Sequence, residues 1–137
     1  MGSAAWKKAV RRDMAARRLA LGTAAHATRS ARIAHYLLSG FPVPDVFAFC
    51  WPIRNEPDVM AIVNAWVAHG ARAALPVVVG VDQPLAFRTW TPDAPLAPDR
   101  YGIPTPVAGD WVTPGCILIP VNGFDPAGYR LGYGGGY

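Results

Sequence analysis

The chain has 137 residues, of which 52% are hydrophobic and 16% are charged, and its formal net charge is +4. This composition is typical of one globular domain, which we assign to residues 1–137, and it excludes an intrinsically disordered chain. The longest apolar runs, 73–80 and 116–121, are too short to span a bilayer, so we expect no membrane partner.

The N-terminal part of the chain is predicted to form two helices. Residues 4–21 favour the first helix, whose apolar stripe is formed by Trp6, Val10, Met14 and Leu21. A cationic stripe runs beside it, formed by Lys7, Arg11 and Arg18. Because this stripe borders the face that we expect to be buried, its cations can reach into a cleft. Gly22 ends the helix, and a second helix is predicted from Thr23 to about Leu38.

Four strands are predicted after the helices, in the segments VFAFCWPI, AALPVVVG, PLAFRTW and CILIPVNGF. A helix that opens at Pro57 and runs through Val67 lies between the first two strands. The last strand is expected to be buried on both faces because it is continuously apolar. Strands that alternate with helices predict an α/β fold with a largely parallel central sheet flanked by helices, in an open Rossmann-like three-layer architecture. Residues 91–115 contain six prolines and are expected to hold little regular structure.

The cysteines indicate the cellular compartment of the protein, and the charged residues indicate the class of its partner. Cys50 and Cys116 each lie inside an apolar run, which favours buried free thiols over a disulfide or a pair of ligands. Free thiols are typical of a reducing compartment, so we expect a cytoplasmic protein. The basic residues crowd the first helix, which suggests an anionic partner. Charge alone does not distinguish a nucleotide, a nucleic acid or a solvated basic face.

The segment GYRLGYGGGY, residues 128–137, has the composition of a phosphate-binding loop. Glycines allow backbone N–H groups to line a concave nest, and Arg130 can add a bidentate contact. The segment is neither a Walker loop, since no Gly-Lys-Ser/Thr follows, nor a convincing dinucleotide fingerprint. On the glycine pattern alone, a flexible terminal tail explains the segment equally well.

The longer stretch VNGFDPAGYRLGYGGGY resembles the signature of the 5-formyltetrahydrofolate cyclo-ligase (5,10-methenyltetrahydrofolate synthetase) family. In outline that signature is P-x-x-x-F-D-x-x-G-x-R-L-G-x-G-x-G-Y-Y-D, and the chain matches it in order. The matching residues are Pro120, Phe124, Asp125, Gly128, Arg130, Leu131, Gly132, Gly134, Gly136 and Tyr137. The basic first helix, the segment CWPIRNEPD and the segment YGIPTP agree with the same family.

The resemblance implies two sets of site residues. ATP contacts fall on Lys7, Arg11, Arg130, Leu131, Gly132, Tyr133, Gly134, Gly135, Gly136 and Tyr137, with Arg130 also catalytic. Folate contacts fall on Trp51, Glu56, Tyr133, Gly134, Gly135, Gly136 and Tyr137. The metal-binding aspartate of the family would follow Tyr137, so we expect no metal ligand within this chain and a protein that is C-terminally shorter than its relatives.

The activity that the resemblance implies is an ATP-dependent ring closure that uses Mg²⁺. The formyl oxygen of 5-formyltetrahydrofolate takes the γ-phosphoryl group of ATP, N10 attacks the same carbon, and phosphate leaves. Such a reaction depends on positioning two polyanions and on stabilising the charge of the transferred group. We expect a monomer whose partners are these small molecules, with no nucleic-acid partner.

Glu56 and Trp51 each have a structural alternative to the role that the resemblance implies. A carboxylate at Glu56 can pair with the N–H edge of an aminopterin, or it can cap the helix that opens at Pro57. Trp51 can stack on a flat heterocycle or belong to the core. Two other functions stay open for the whole chain: a nucleotide- or pterin-binding homologue without catalysis, and a nucleic-acid-binding module that uses the arginine-rich helix.

Overall fold

The computed structural model describes residues 3–134, which form three helices and nine short strands. The helices are α1 (Ala4–Leu19), α2 (Thr23–Gly40) and α3 (Met60–Ala68). The strands are β1 (Val46–Phe49), β2 (Arg72–Val77), β3 (Ala86–Trp90), β4 (Leu96–Pro98), β5 (Pro104–Pro106), β6 (Trp111–Val112), β7 (Cys116–Leu118), β8 (Gly123–Phe124) and β9 (Arg130–Leu131).

Five of these strands form a mixed sheet in the order β6-β3-β2-β1-β7. β1 lies between β2 and the edge strand β7 and pairs in parallel with both. β3 is antiparallel to β2 and to β6. The direction of β3 follows from the connection that precedes it, since residues 78–85 contain no crossover helix and so return the chain as a hairpin. The predicted α/β fold with helices flanking a sheet is confirmed, and the parallel part of the sheet consists of β2, β1 and β7.

The core lies where α3 and the N-terminal half of β2 meet β1. Phe47 and Phe49 are fully buried. The ring of Phe47 packs edge-on against that of Trp66, with 5.0 Å between the ring centres. The ring of Phe49 packs in the same way against that of Trp90, with 5.3 Å between the centres. Edge-to-face pairs at these distances are favourable in addition to the apolar area that they bury. The strand predicted from VFAFCWPI is therefore an interior strand of the sheet, and its side chains form part of the core.

The prediction that the CILIPVNGF strand is buried on both faces is wrong. Within the described part of the chain β7 is an edge strand, paired with β1 alone, and Ile117 is 41% exposed. The segment also ends its pairing at Leu118, and only Gly123–Phe124 pairs again, with β9. The continuous apolar sequence predicted burial of this strand. Its burial depends, however, on which elements pack beside it in the tertiary structure, and sequence pattern does not specify those.

The first helix and the proline-rich segment also differ from expectation. No residue of α1 is buried, and Trp6 is 51% exposed, so its apolar stripe does not enter the core. Residues 91–115 contain β4 and β5, which form a two-stranded sheet, and β6. Prolines begin and end β5, and short edge pairings tolerate them. Within residues 3–134, none of the helices has the length and apolar character that crossing a membrane requires.

Candidate active site

A tight bend at residues 53–56 follows β1 and presents Glu56. Arg54 and Asn55 both have positive φ angles, of 50° and 60°, which is uncommon for residues with a side chain. The side-chain amide of Asn55 donates to the carbonyl oxygens of Arg18, at 2.7 Å, and Leu21, at 3.3 Å. These bonds satisfy carbonyl groups at the C-terminal end of α1 and hold that end against the bend.

Glu56 is the charged residue buried at this bend, with 4% of its surface exposed. Its Oε1 accepts a hydrogen bond from the backbone N–H of Ile53 at 2.9 Å, and its Oε2 accepts one from the hydroxyl of Tyr133. Its carbonyl oxygen accepts a hydrogen bond from Nε2 of His26 at 2.7 Å. Because α3 begins only at Met60, the alternative that Glu56 caps that helix is not what the structure shows.

Arg18 joins three separate parts of the chain at the same place. Its Nε donates to the carbonyl oxygen of Arg54 at 3.0 Å, its Nη1 to Oδ1 of Asn122 at 3.2 Å, and its Nη2 to the hydroxyl of Tyr133 at 2.9 Å. The guanidinium also lies 5.8 Å from the centre of the Tyr133 ring. A planar guanidinium with donors in a fixed fork suits such a three-way contact better than an ammonium group does.

Arg11, two turns earlier on α1, holds the glycine-rich loop. Its Nε donates to the carbonyl oxygen of Gly132 at 2.8 Å. Gly134 has a φ angle of +86°, and a Cβ built there would lie 3.1 Å from Cζ of Arg11. A side chain at position 134 would therefore be strained and would crowd the guanidinium, which explains why glycine suits this position.

Burial and charge perturb two titratable groups beside Glu56. Burial, then the hydrogen bond to Glu56 and the charge of that residue, raise the pKa of the Tyr133 hydroxyl, and Arg18 opposes the rise. Burial, followed by the charge of Glu56, raises the pKa of the Cys50 thiol from 9.0 to about 11. Both groups are therefore held in their neutral forms at physiological pH, and Cys50 is an unreactive thiol rather than a nucleophile.

The predicted site residues are only partly brought together. Arg11, Gly132, Tyr133, Gly134 and Glu56 lie within one connected set of contacts. Among the other described candidates, the side chains of Lys7, Trp51 and Arg130 form no hydrogen bond or ion pair with residues 3–134. The carbonyl oxygen of Leu131 accepts a hydrogen bond from the backbone N–H of Asn122 at 2.7 Å. Gly135, Gly136 and Tyr137 lie outside the described residues.

Those four candidates have distinct environments. Lys7 is exposed on α1, and Arg130 is exposed on β9 next to the half-buried Leu131. Trp51 packs against the core, with its ring 6.4 Å from those of Phe49 and Trp90. The position of Trp51 is thus that of a core-border residue, and a role for it against a ligand stays a prediction.

Three polar residues of the site were not assigned by sequence: Arg18, Asn55 and Asn122. Arg18 was predicted on the same cationic stripe as Lys7 and Arg11, but the family resemblance gave it no ligand contact. Asn122 follows the last strand of the sheet closely, where α/β proteins place ligand-binding loops. Asn55 has no comparable signal, since its role depends on a backbone bend that side-chain pattern does not predict.

The described residues offer no metal centre at this site. Among residues 3–134 there is no group of three or more His, Cys, Asp or Glu side chains that could hold a metal ion. Two open grooves on the described surface lie elsewhere, one bordered by Phe87 and Trp111 and the other by Arg32 and His35. The Glu56 carboxylate is reached from neither of them.

Comparison with known protein families gives one match over nearly the whole chain. The model of the 5-formyltetrahydrofolate cyclo-ligase family matches residues 3–137. The chain belongs to this cyclo-ligase family. The family and the type of enzyme predicted from the sequence motifs are thereby confirmed. A search of curated protein sequences finds no significant match.

Two solved structures similar to this cyclo-ligase family member extend the comparison to the fold. The 5,10-methenyltetrahydrofolate synthetase of Aquifex aeolicus is 27% identical, with a TM-score of 0.80, over 96% of this chain and 69% of that chain. The 5,10-methenyltetrahydrofolate synthetase of Mycoplasma pneumoniae is 24% identical, with a TM-score of 0.67, over 96% of this chain and 73% of that chain. The α/β arrangement of this family member is therefore the fold of the Aquifex aeolicus enzyme.

Proposed function

We propose that this protein catalyses the ATP-dependent conversion of 5-formyltetrahydrofolate to 5,10-methenyltetrahydrofolate. Membership of the cyclo-ligase family and the likeness to the Aquifex aeolicus synthetase support the reaction. The observation that carries the proposal for this chain is the meeting of α1 cations, the glycine-rich loop and a buried carboxylate. Arg11 contacts Gly132, Arg18 contacts Tyr133, and Tyr133 contacts Glu56.

The proposed reaction needs two successive displacements. The formyl oxygen attacks the γ-phosphorus of ATP, and ADP leaves, which gives an iminium phosphate at the former formyl carbon. N10 then attacks that carbon, phosphate departs with the original formyl oxygen, and the N10 proton is lost. Most of the catalytic effect in such a reaction comes from alignment of the reactants and stabilisation of the transferring phosphoryl charge.

The cations of α1 and β9 suit the nucleotide part of this task. Lys7 and Arg11 are one helical turn apart, so both can face one polyanion. Arg11 already orients the backbone of the glycine-rich loop through the Gly132 carbonyl. In the proposal Lys7, Arg11 and the loop bind the phosphates, and Arg130 stabilises the transferring group.

Glu56 suits the folate part of the task. The pterin ring presents adjacent N–H groups along one edge, and a carboxylate can accept both in parallel hydrogen bonds. The backbone N–H of Ile53 fixes the orientation of the carboxylate from behind. A buried carboxylate of fixed orientation provides affinity for the pterin and also fixes the orientation of the bound ring. The reaction requires that orientation because N10 and the formyl group must face the nucleotide.

The proposal also covers metal, compartment and assembly. The described residues do not fit a protein-held Mg²⁺ centre, so no step is assigned to protein ligands of the ion. Mg²⁺ is proposed to arrive with the nucleotide, whose phosphate oxygens it prefers. Both cysteines are free thiols, in keeping with a reducing cytoplasm. We take the protein to be a monomer that binds these small molecules and no nucleic acid.

The test is formation of 5,10-methenyltetrahydrofolate, followed by its absorbance, from 5-formyltetrahydrofolate with and without MgATP. We expect product only when ATP is present, with one ADP released per product. Binding of both ligands without turnover would instead support a non-catalytic homologue. Salt-dependent binding of a random oligonucleotide, together with no affinity for folate or ATP, would contradict the proposal and favour a nucleic-acid-binding module.

A further inference from the structure

Both oxygens of the Glu56 carboxylate are already occupied by groups of the protein. Oε1 accepts from Ile53 and Oε2 from the hydroxyl of Tyr133, and the residue is 4% exposed. Tyr133 itself is 40% exposed, so it lies between the carboxylate and solvent. A ligand that donates a hydrogen bond to Oε2 of Glu56 therefore competes with the Tyr133 hydroxyl for that oxygen.

We propose that Tyr133 closes the Glu56 subsite in the ligand-free protein and that Arg18 is the positioning residue that holds it closed. This inference rests on the proposed function, since it takes the N–H edge of a pterin as the group that replaces the Tyr133 hydroxyl. The exchange is chemically matched. One donor to the buried carboxylate leaves and another takes its place, so the carboxylate is not left unpaired in either state.

Tyr133 has the freedom to leave. It stands between Gly132 and Gly134, and a Cβ built at Gly132 would meet nothing within 4 Å. Its ring lies near the guanidinium groups of Arg18 and Arg54, 5.8 Å and 6.0 Å from their central carbons, rather than in the hydrophobic core. Outward rotation of Tyr133 therefore breaks polar and cation–π contacts at the surface and leaves no cavity in the core.

Arg18 supplies the restraint on Tyr133. One donor of its guanidinium contacts the Tyr133 hydroxyl, and two others are held by the Arg54 carbonyl and by Asn122. The backbone of Arg18 is in turn held by the side chain of Asn55. Because the guanidinium is fixed from the bend that bears Glu56, it directs the phenol towards that carboxylate. Loss of Arg18 should leave Tyr133 with a single polar partner and a larger open population.

The closed arrangement predicts that removal of the Tyr133 hydroxyl strengthens folate binding instead of weakening it. If only a fraction of the protein is open, the measured dissociation constant exceeds the intrinsic one by the inverse of that fraction. Tyr133→Phe removes the competing hydroxyl and leaves Oε2 of Glu56 in need of a donor, so folate should bind more tightly. If Tyr133 were instead only a wall of the folate site, the loss of its hydroxyl would weaken binding or leave it unchanged.

The experiment is a calorimetric titration of 5-formyltetrahydrofolate, without nucleotide, into the full chain. We expect Tyr133→Phe and Arg18→Ala each to lower the dissociation constant about fivefold or more. The double variant should bind no more tightly than Tyr133→Phe, because Arg18 acts through Tyr133. Tyr129→Phe and Arg17→Ala are matched controls on the exposed loop and the exposed face of α1, and they should bind as the wild type does.

Weaker or unchanged binding by Tyr133→Phe overturns the closure, and additive effects in the double variant overturn the role of Arg18. A second measurement needs no folate: the phenol titration of Tyr133, taken as the absorbance difference between wild type and Tyr133→Phe. The charged groups that face this phenol are Glu56, Arg18 and Arg54. Its pKa should fall in Glu56→Gln, and an unchanged titration contradicts the contact. If wild type and all variants fail to bind folate while this titration behaves as expected, the proposed function fails and the contact stands.

Discussion

At the scale of single residues, the buried carboxylate of Glu56 has the most constrained environment in the site. Glu56 is 4% exposed, and hydrogen bonds from Ile53 and Tyr133 compensate its negative charge. A buried charge that lost these donors would cost several kcal/mol. The same environment makes Glu56 a sensitive position for mutation, because a change of one atom alters which groups can donate to it.

Glu56→Gln should impair folate use and leave nucleotide affinity nearly intact. The amide keeps the size of the side chain but replaces one acceptor by a donor, which should cost about 1–3 kcal/mol, a rise in KM for folate of about fivefold to 150-fold. The measurement is KM for each substrate in the ring-closure assay. Equal losses for folate and ATP, together with a lower midpoint of thermal unfolding, would indicate a structural role instead.

Lys7→Ala should weaken ATP binding with little effect on folate or on stability. Within residues 3–134 the Lys7 side chain forms no hydrogen bond or ion pair, so its removal breaks no described contact of the fold. A charge-assisted contact to phosphate is worth about 1.5–3 kcal/mol, so KM for ATP should rise tenfold or more. Arg17→Ala, which removes the same charge from the exposed face of α1, is the control. Equal KM values for ATP in the two variants would show that Lys7 is only part of a solvated face.

Cys50 should react slowly with thiol reagents and gain reactivity only in strongly alkaline solution. Its pKa is raised from 9.0 to about 11, which lowers the thiolate fraction at pH 8 by about a hundredfold. Since the folded-state pKa is raised, the neutral thiol favours folding below pH 9.0, and this contribution is lost as the pH rises towards 11. The check is the pH dependence of disulfide exchange in a Cys116→Ser background, with urea-unfolded protein as the reference. A midpoint near pH 9 in the folded state would contradict the burial of this thiol.

At the scale of secondary-structure elements, the pairing of β3 with β6 depends on one backbone conformation. Gly109 precedes β6 with a φ angle of +105°, and Arg88 on β3 donates to its carbonyl oxygen at 2.9 Å. A Cβ at position 109 would lie 2.6 Å from Oγ1 of Thr89, which is closer than any real contact. The turn into β6 therefore requires glycine for both its dihedral angle and its space.

Gly109→Ala should destabilise the protein by about 2–4 kcal/mol, through backbone strain and overpacking against β3. The measurement is the free energy of unfolding in urea. Gly40→Ala is the matched control, because Gly40 is the last residue of α2, has no positive φ angle and meets nothing within 4 Å. A loss below about 0.5 kcal/mol for Gly109→Ala would show that the turn can adopt another conformation.

At the scale of the whole molecule, stability depends on the contact between β1 and α3. Phe47→Ala should cost about 3–5 kcal/mol, because it removes a fully buried ring that packs against Trp66 and leaves a cavity. Phe124→Ala, at a site that is 83% exposed, should change stability by less than about 0.5 kcal/mol. Urea unfolding followed by tryptophan fluorescence distinguishes the two. Similar losses for both variants would contradict the assignment of the core to β1 and α3.

Much of the local structure could be predicted because helices and strands depend on patterns of residues that are close together in the sequence. The periodicity of residues 4–21 predicted α1, and the apolar run from Val46 predicted β1, now found as Val46–Phe49. The motif that ends in GYRLGYGGGY was sufficient to predict the family, since fixed spacings are visible in one dimension. Roles in ATP binding for Lys7, Arg11 and Arg130 stay predictions, because they concern a ligand rather than the chain.

Tertiary structure alone decided which of these residues meet. Arg11 and Gly132 are 121 residues apart in sequence, and Tyr133 and Glu56 are 77 apart. Contacts of that range depend on the order and direction of the strands between them, which local periodicity does not specify. The same reason explains why β7, apolar in sequence, lies at the edge of the described sheet, and why Arg18 rather than Arg130 reaches Tyr133. Sequence determined the elements and the family, and the packing of distant elements determined the site.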